Sequence, residues 1–400
     1  MPVIGTPIQG VPLTQAPTPQ SDKSELVEAV EAIVKRLQAA KRPVAFVGYK
    51  VHRYGLQNEA QKLIEALNIP FVATPMDKAV LSEAHPLYAG LYKGHFLTDP
   101  VVKEIVEGAD LVLDIGEVVF DDLSQLGAAR IDHNKQIILA PNCVTLPQAT
   151  EMVHCSMNSF NPVFLGDILK ALVEQTSTMK KFDTVSIPPA VKIESADPAG
   201  VITYGTVHAA MHDFFQTGDI FVCETGTSSV QFSNVRLPDG VTYHNQTLWG
   251  SIGWATPAAL GTALAVPDRR TILITGDGSH QLTATEIGTM GKYGTNPIVI
   301  CMNNDVFGIE EFLERNDHCS YNDLARWEYT QLPAALGCKN WFIAKVSTNE
   351  ELVRALNEAR NHTSAGTYIQ VVLGVPLLPP LDVNGLHLMY QEKNPDYNTL

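Results

Sequence analysis

Apolar positions along this chain fall into two rhythms that alternate. From Ser24 onward Leu26, Val27, Val30, Ile33, Val34 and Leu37 recur at helical spacing, with Ser21 or Asp22 available as an N-cap. Short apolar runs then predict strands at 43–47, 70–74, 111–115 and 136–139, separated by amphipathic helices at 57–67 and 100–107. Past residue 198 the rhythm resumes. Strands are predicted at 219–223, 271–275, 297–302, 341–346 and 367–372, and helices at 204–215, 283–293, 327–336 and 349–360. Buried strands alternating with helices imply parallel sheets covered on both faces. The expected fold is therefore α/β, with two doubly wound parallel-sheet, Rossmann-like domains.

The polar and Pro-rich stretches divide the chain. Residues 1–22, with Pro7, Pro12, Pro17 and Pro19, read as an extended arm. The first domain spans 23–175, and the polar stretch 176–198 connects it to a second at 199–375. Residues 376–400, with Pro376, Pro379, Pro380 and Pro395, form a tail. Four hundred residues exceed what one core ordinarily holds, which agrees with two domains.

Composition narrows the function classes. The net charge is −15 and no Lys/Arg run interrupts it, so a nucleic-acid partner is not expected. Any anionic ligand must be met locally, by a metal, a helix N-terminus or backbone N–H groups. No apolar run reaches the ~20 residues of a membrane span, so no membrane partner is expected. Cys143, Cys155, Cys223, Cys301, Cys319 and Cys338 are scattered without a C-x-x-C pair, as expected of reduced thiols in a cytoplasmic protein.

The chemistry concentrates at two strand ends. The apolar run 271–275 leads into Gly276-Asp277-Gly278-Ser279, and the run 298–302 into Asn303-Asn304-Asp305. A lone Gly-Asp-Gly is as readily an ordinary β-turn. The spacing changes that reading, because Asn304 follows Asp277 by 27 positions, one strand–helix–strand crossover. Both then emerge at the carboxyl edge of one sheet, where doubly wound folds receive ligands. A carboxylate, an amide oxygen and a nearby backbone carbonyl are hard ligands suited to Mg²⁺, which commonly completes its shell with phosphates.

Gly-Asp-Gly followed at this spacing by Asn-Asn resembles the cofactor motif of the thiamine diphosphate-dependent 2-oxo acid decarboxylases. Glu224-Thr225-Gly226-Thr227-Ser228 is similar to that family's diphosphate-side loop, and Leu248-Trp249-Gly250-Ser251-Ile252-Gly253 to its aminopyrimidine segment. The resemblance implies thiamine diphosphate and Mg²⁺ as cofactors, with Asp277, Asn304 and the Val306 carbonyl as metal ligands. It implies that Ser279 meets the diphosphate alongside Gly276, Gly278, Thr225 and Thr227. The Gly250 carbonyl would accept the 4′-amino group, and Ile252 would wedge the cofactor into its bent form. Ile309 and Glu310 would face a 2-oxo acid substrate, Glu310 moving protons as the catalytic carboxyl. The family usually has Gly where Val306 stands, so a stiffer loop is expected here.

Pro43–Val47 with the residues after it, and Glu83-Ala84-His85-Pro86-Leu87, resemble the family's central domain. This segment lacks a G-x-G-x-x-G loop, so no nucleotide is assigned to it. His52, Arg53 and His85 read as surface or interface residues. The resemblance covers two of the family's three domains. The third binds the pyrimidine, supplies the glutamate that activates the cofactor, and carries a His-His pair that this sequence does not contain. Losing that activation would remove about 10²–10⁴-fold of general-base catalysis. The implied partner is a pyrimidine-binding domain on another chain, or a homo-oligomer. The alternatives are a catalytically inactive cofactor-binding or structural protein, and an acetolactate synthase-like carboligase.

Overall fold

Apolar runs become strands, and the strands assemble into two sheets. The computed structural model describes residues 19–120, 128–147, 157–187, 196–313 and 319–374. Most of the expected arm, the tail at 376–400, residues 188–195 of the connection, and Cys155 lie outside the described residues.

The first sheet contains β1 (Pro43–Val47), β2 (Phe71–Ala73), β3 (Tyr88–Leu91), β4 (Leu111–Ile115), β5 (Gln136–Leu139), β6 (Val144–Pro147) and β7 (Met157–Phe160). Their spatial order is β3-β2-β1-β4-β5-β6-β7. The strands from β3 through β5 pair in parallel, but β6 and β7 join antiparallel, so this sheet is mixed where an all-parallel one was expected. The turn from β5 to β6 explains it. Ala140 N–H donates to the Cys143 carbonyl at 2.9 Å, closing a hairpin too short for the crossover that parallel pairing requires.

The second sheet contains β8 (Ile220–Cys223), β9 (Thr242–His244), β10 (Thr271–Gly276), β11 (Ile298–Asn303), β12 (Phe342–Val346) and β13 (Thr367–Val372). Their order is β12-β13-β11-β10-β8-β9, and every pair is parallel. β9 and β10 lie on opposite sides of β8, so the winding reverses between β8 and β10. Ligands of doubly wound sheets sit outside the carboxyl ends of strands at such a reversal.

Local chemistry sets the helix ends. Asp22 opens Lys23–Ala39 by accepting the N–H groups of Ser24 and Glu25, and that helix buries Ala29, Val30, Ile33 and Leu37. Thr348 and Glu351 form a capping box on Asn349–Asn361. The helix expected at 283–293 is two, Asp277–Thr283 and Glu286–Tyr293. That at 327–336 shrinks to a 3₁₀ turn, Tyr329–Gln331, and the short helix Leu332–Ala335. Ala255–Ala265 gave no periodic signal because its residues are small or apolar all round. No described helix is long and apolar enough to cross a membrane.

The domains are fastened by a buried ion pair. Lys78 Nζ donates to both Glu83 oxygens at 2.7 and 2.8 Å, and Tyr88 Oη to one of them at 3.0 Å. The remaining contact crosses the junction, Leu237 N–H to Glu83 at 2.8 Å.

Candidate metal and diphosphate site

The loops after β8, β10 and β11 meet at the winding reversal, and Asp277 is their centre. It is 1% exposed. Asn303 Nδ2 (2.7 Å) and the N–H groups of Asn304 (3.1 Å) and Asp305 (2.8 Å) donate to Oδ2, while Gly278 N–H donates to Oδ1 at 3.0 Å. Burial raises the Asp277 pKa, and these donors oppose the rise. Gln370 Nε2 donates to Asn303 Oδ1 at 2.7 Å, fixing the amide that braces Asp277.

The Asn304 amide lies against this carboxylate and the Val306 carbonyl. In the orientation that satisfies its neighbours, Asn304 Nδ2 donates to Asp277 Oδ1 at 3.1 Å and to the Val306 carbonyl at 2.9 Å. With a cation bound, the amide turned over would present its oxygen beside the other two. Neighbouring ligands of octahedral Mg²⁺, at 2.0–2.1 Å from the metal, stand about 2.9–3.0 Å apart. The residues present fit the metal. No cluster of three His, Cys, Asp or Glu occurs among the described residues, so oxygen ligands of this mixed kind are the available set. Val306 is accommodated: it is 7% exposed and bridges to Asp323, while the left-handed position of the loop falls on Asp305 (φ 61°).

The glycines have separate reasons. A Cβ on Gly278 would stand 2.5 Å from the Phe307 ring, whereas one on Gly276 would meet nothing within 4 Å. Gly276 thus leaves an open approach for a ligand beside Ser279, which is 8% exposed. Gly226, after β8, holds φ 108° and ψ −148°, a conformation essentially reserved for glycine. Ile309 faces it, with Cγ2 at 3.8 Å from where a Cβ would stand. Thr225 Oγ1 donates to the Gln246 carbonyl at 2.9 Å, and Thr227 pairs with the Tyr204 hydroxyl at the start of helix Thr227–Phe232.

The opposite side is open. Gly250 is left-handed (φ 61°), and Gly253 packs so tightly on Leu282 that a Cβ would lie 2.9 Å from it. Thr283 Oγ1 donates to the Gly253 carbonyl at 2.8 Å, tying this loop to helix Asp277–Thr283. Ile252 is 39% exposed, Trp249 76% and Leu282 59%. Glu310, in helix Gly308–Leu313, is exposed, so the structure gathers Asp277, Asn304, Val306 and Ile309 but leaves Glu310 uncovered.

Sequence reading missed several supporting groups. Asn303 is a brace, and the sequence does not say which amide of an Asn-Asn pair turns inward. Gln370, a polar residue inside the apolar strand β13, was a usable signal. Glu224 is 1% exposed; burial pushes its pKa up to about 7, against the N–H groups of Thr225 and Ala255 and the Thr275 hydroxyl. His280 is fully buried, bonded to Thr256 Oγ1 at 3.0 Å, and burial pushes it down to about 4.

Comparison with known proteins places these features. Residues 224–371 match the thiamine pyrophosphate enzyme C-terminal TPP binding domain, and residues 30–145 the central domain of such enzymes. Pyruvate decarboxylase of Candida glabrata is 31% identical over 89% of this chain and 62% of its own length. Alpha-keto-acid decarboxylase of Mycolicibacterium paratuberculosis is 32% identical over 81% of this chain and 56% of its own. Pyruvate decarboxylase isozyme 1 of Saccharomyces cerevisiae is 30% identical over 93% and 64%. The chain thus spans about three fifths of the length of these relatives. The crystal structure of benzoylformate decarboxylase from Polynucleobacter necessarius superposes with a TM-score of 0.73, covering 94% of this chain and 69% of that one at 21% identity. At that identity the likeness concerns the fold.

Proposed function

Because this chain belongs, by its central and C-terminal domains, to the thiamine pyrophosphate enzymes, we propose that it binds thiamine diphosphate through Mg²⁺ and serves non-oxidative decarboxylation of a 2-oxo acid. The observation that carries this reading is the Asn304 amide lying 3.1 Å from Asp277 Oδ1 and 2.9 Å from the Val306 carbonyl, so that turning its oxygen toward them completes a set of three hard oxygen ligands. When bound, thiamine diphosphate supplies the carbon nucleophile and the electron sink. The chain's own groups hold and orient. Asp277, Asn304 and the Val306 carbonyl take the metal, Ser279 takes the diphosphate, and Gly276 and Gly278 let the backbone come close. Thr225 and Thr227 shape the loop beside it. The Gly250 carbonyl accepts the amino group, Ile252 supports the cofactor's bend, and Ile309 and Glu310 face the substrate, with Glu310 carrying the proton.

The open edge supports a partner. Trp249, Ile252 and Leu282 crowd the rim of the crevice, and exposed apolar surface there is unusual for a surface meant to stay bare. We assign that edge to contact with a pyrimidine-binding domain. We place the protein in the cytoplasm, where its free thiols Cys143, Cys223, Cys301, Cys319 and Cys338 stay reduced. A second reading, cofactor binding without turnover, is favoured by the exposure of Glu310. A decarboxylation assay with thiamine diphosphate and Mg²⁺, run with and without a pyrimidine-binding domain added in trans, separates the two. Turnover only with the added domain supports the first reading. Cofactor binding with no turnover in either case supports the second.

A further inference from the structure

A cavity of about 160 Å³ between the two domains has no part in the cofactor reading. It opens beside the carboxyl ends of β1, β2 and β9, the edge where such sheets receive ligands. His52, Arg53 and Lys78 line it from the first domain, and His244 and Asn245 from the second. Met76, Val80 and Trp254 add an apolar wall. Its lining includes no carboxylate among the described residues, although the chain carries a net charge of −15. Asp77 and Glu83, beside the lining residue Lys78, are engaged elsewhere. Asp77 accepts the Tyr49 N–H at 2.7 Å and the Thr74 hydroxyl at 2.5 Å, and Glu83 is held by Lys78.

Unmet polar groups converge there. Gln57 Nε2 lies 2.7 Å from His52 Nδ1, so with the amide donating, the neutral ring carries its proton on Nε2, which has no acceptor among the described residues. Asn245 Nδ2 donates to the Cys223 carbonyl at 2.8 Å, which fixes this side chain in the wall. Arg53 lies over the Tyr49 ring at 4.7 Å and has no salt-bridge partner among the described residues. Arg269, fixed by the Gly218, Asp219 and Gly240 carbonyls, adds positive charge behind both imidazoles. Burial and Arg269 keep His52 below its ordinary range, and burial, His52 and Arg269 bring His244 down to about 4.

We propose that this inter-domain cavity binds a small oxyanion, a carboxylate or a phosphate. Its charge meets Arg53 and the His52 Nε2–H, and the apolar wall packs the remainder. The site is separate from the metal cradle and does not depend on it.

The test is imidazole NMR on the whole chain, with inorganic phosphate and L-lactate as separate probes. EDTA keeps the cradle free of metal, and sodium chloride holds the ionic strength constant. His52→Gln and His244→Gln assign the two signals. Saturable shifts of both rings are expected with at least one probe, and the probe that saturates identifies the anion as carboxylate or phosphate. Arg53→Gln, at an exposed position that does not endanger folding, should weaken binding about tenfold or more, because a charge-assisted contact is lost. No saturable shift with either probe would overturn the proposal, and so would affinity unchanged in Arg53→Gln.

Discussion

The two sides of the cofactor crevice are built to different standards. On the metal side Asp277 is 1% exposed, receives four N–H donors, and is braced by an amide that Gln370 fixes in turn. On the pyrimidine side Trp249 and Ile252 are 76% and 39% exposed, and Glu310 stands uncovered. Holding a metal needs only preorganised ligands. Stabilising charge during a reaction also needs water excluded from the groups that do it. On the proposed reading, the contrast separates binding, for which these residues are prepared, from turnover, for which they need a cover.

That contrast can be broken most severely at Asp277. Asp277→Ala should abolish metal-dependent cofactor binding in calorimetry and leave four N–H groups without their acceptor; surviving binding would move the metal elsewhere. Glu224, behind the closed side, probes its dryness. Its carboxyl titrates near 7 when folded and near 4.5 ordinarily, so the unfolded chain holds fewer protons in that window. Stability should fall as pH rises from about 4.5 to about 7 and then level off. Glu224→Gln should flatten that slope, by roughly 3 kcal/mol across the window, in urea melts at several pH values. Gly278→Ala forces a Cβ against Phe307 and should cost about 1–3 kcal/mol, read as a lower Tm. Asn303→Ala should weaken Mg²⁺ affinity about 10–100-fold, because a brace on a ligand is lost. The smallest effect belongs to the open side: Trp249→Ser should change stability by no more than about 0.5 kcal/mol and leave metal affinity unaltered, while weakening association with a partner.

How much of this was legible depended on what kind of signal each part left. β10 and β11 announced themselves as apolar runs, and their neighbouring ends followed from one crossover of ordinary length. The strands β3, β6 and β9 are interrupted by Gly90, by Thr145 and Pro147, and by Thr242 and His244, so they show no continuous apolar run, and the hairpin from β5 to β6 turned on four residues the pattern did not single out. Helix Ala255–Ala265 was silent for lack of a polar face. Asp277 and Asn304 were readable because each closes an apolar strand. The brace from Asn303 and Gln370 was not, since it depends on which side chains turn inward. His52 and His244 lie on different domains, so only the folded chain brings their rings to 6.4 Å.

The central claim is that cofactor and metal bind together on the prepared side. Its most direct measurement is a calorimetric titration of the chain with thiamine diphosphate, once with Mg²⁺ and once with EDTA. Saturable one-to-one binding with the metal, lost in EDTA, is the predicted result. Absence of binding in the presence of Mg²⁺, or equal binding without it, would contradict the account.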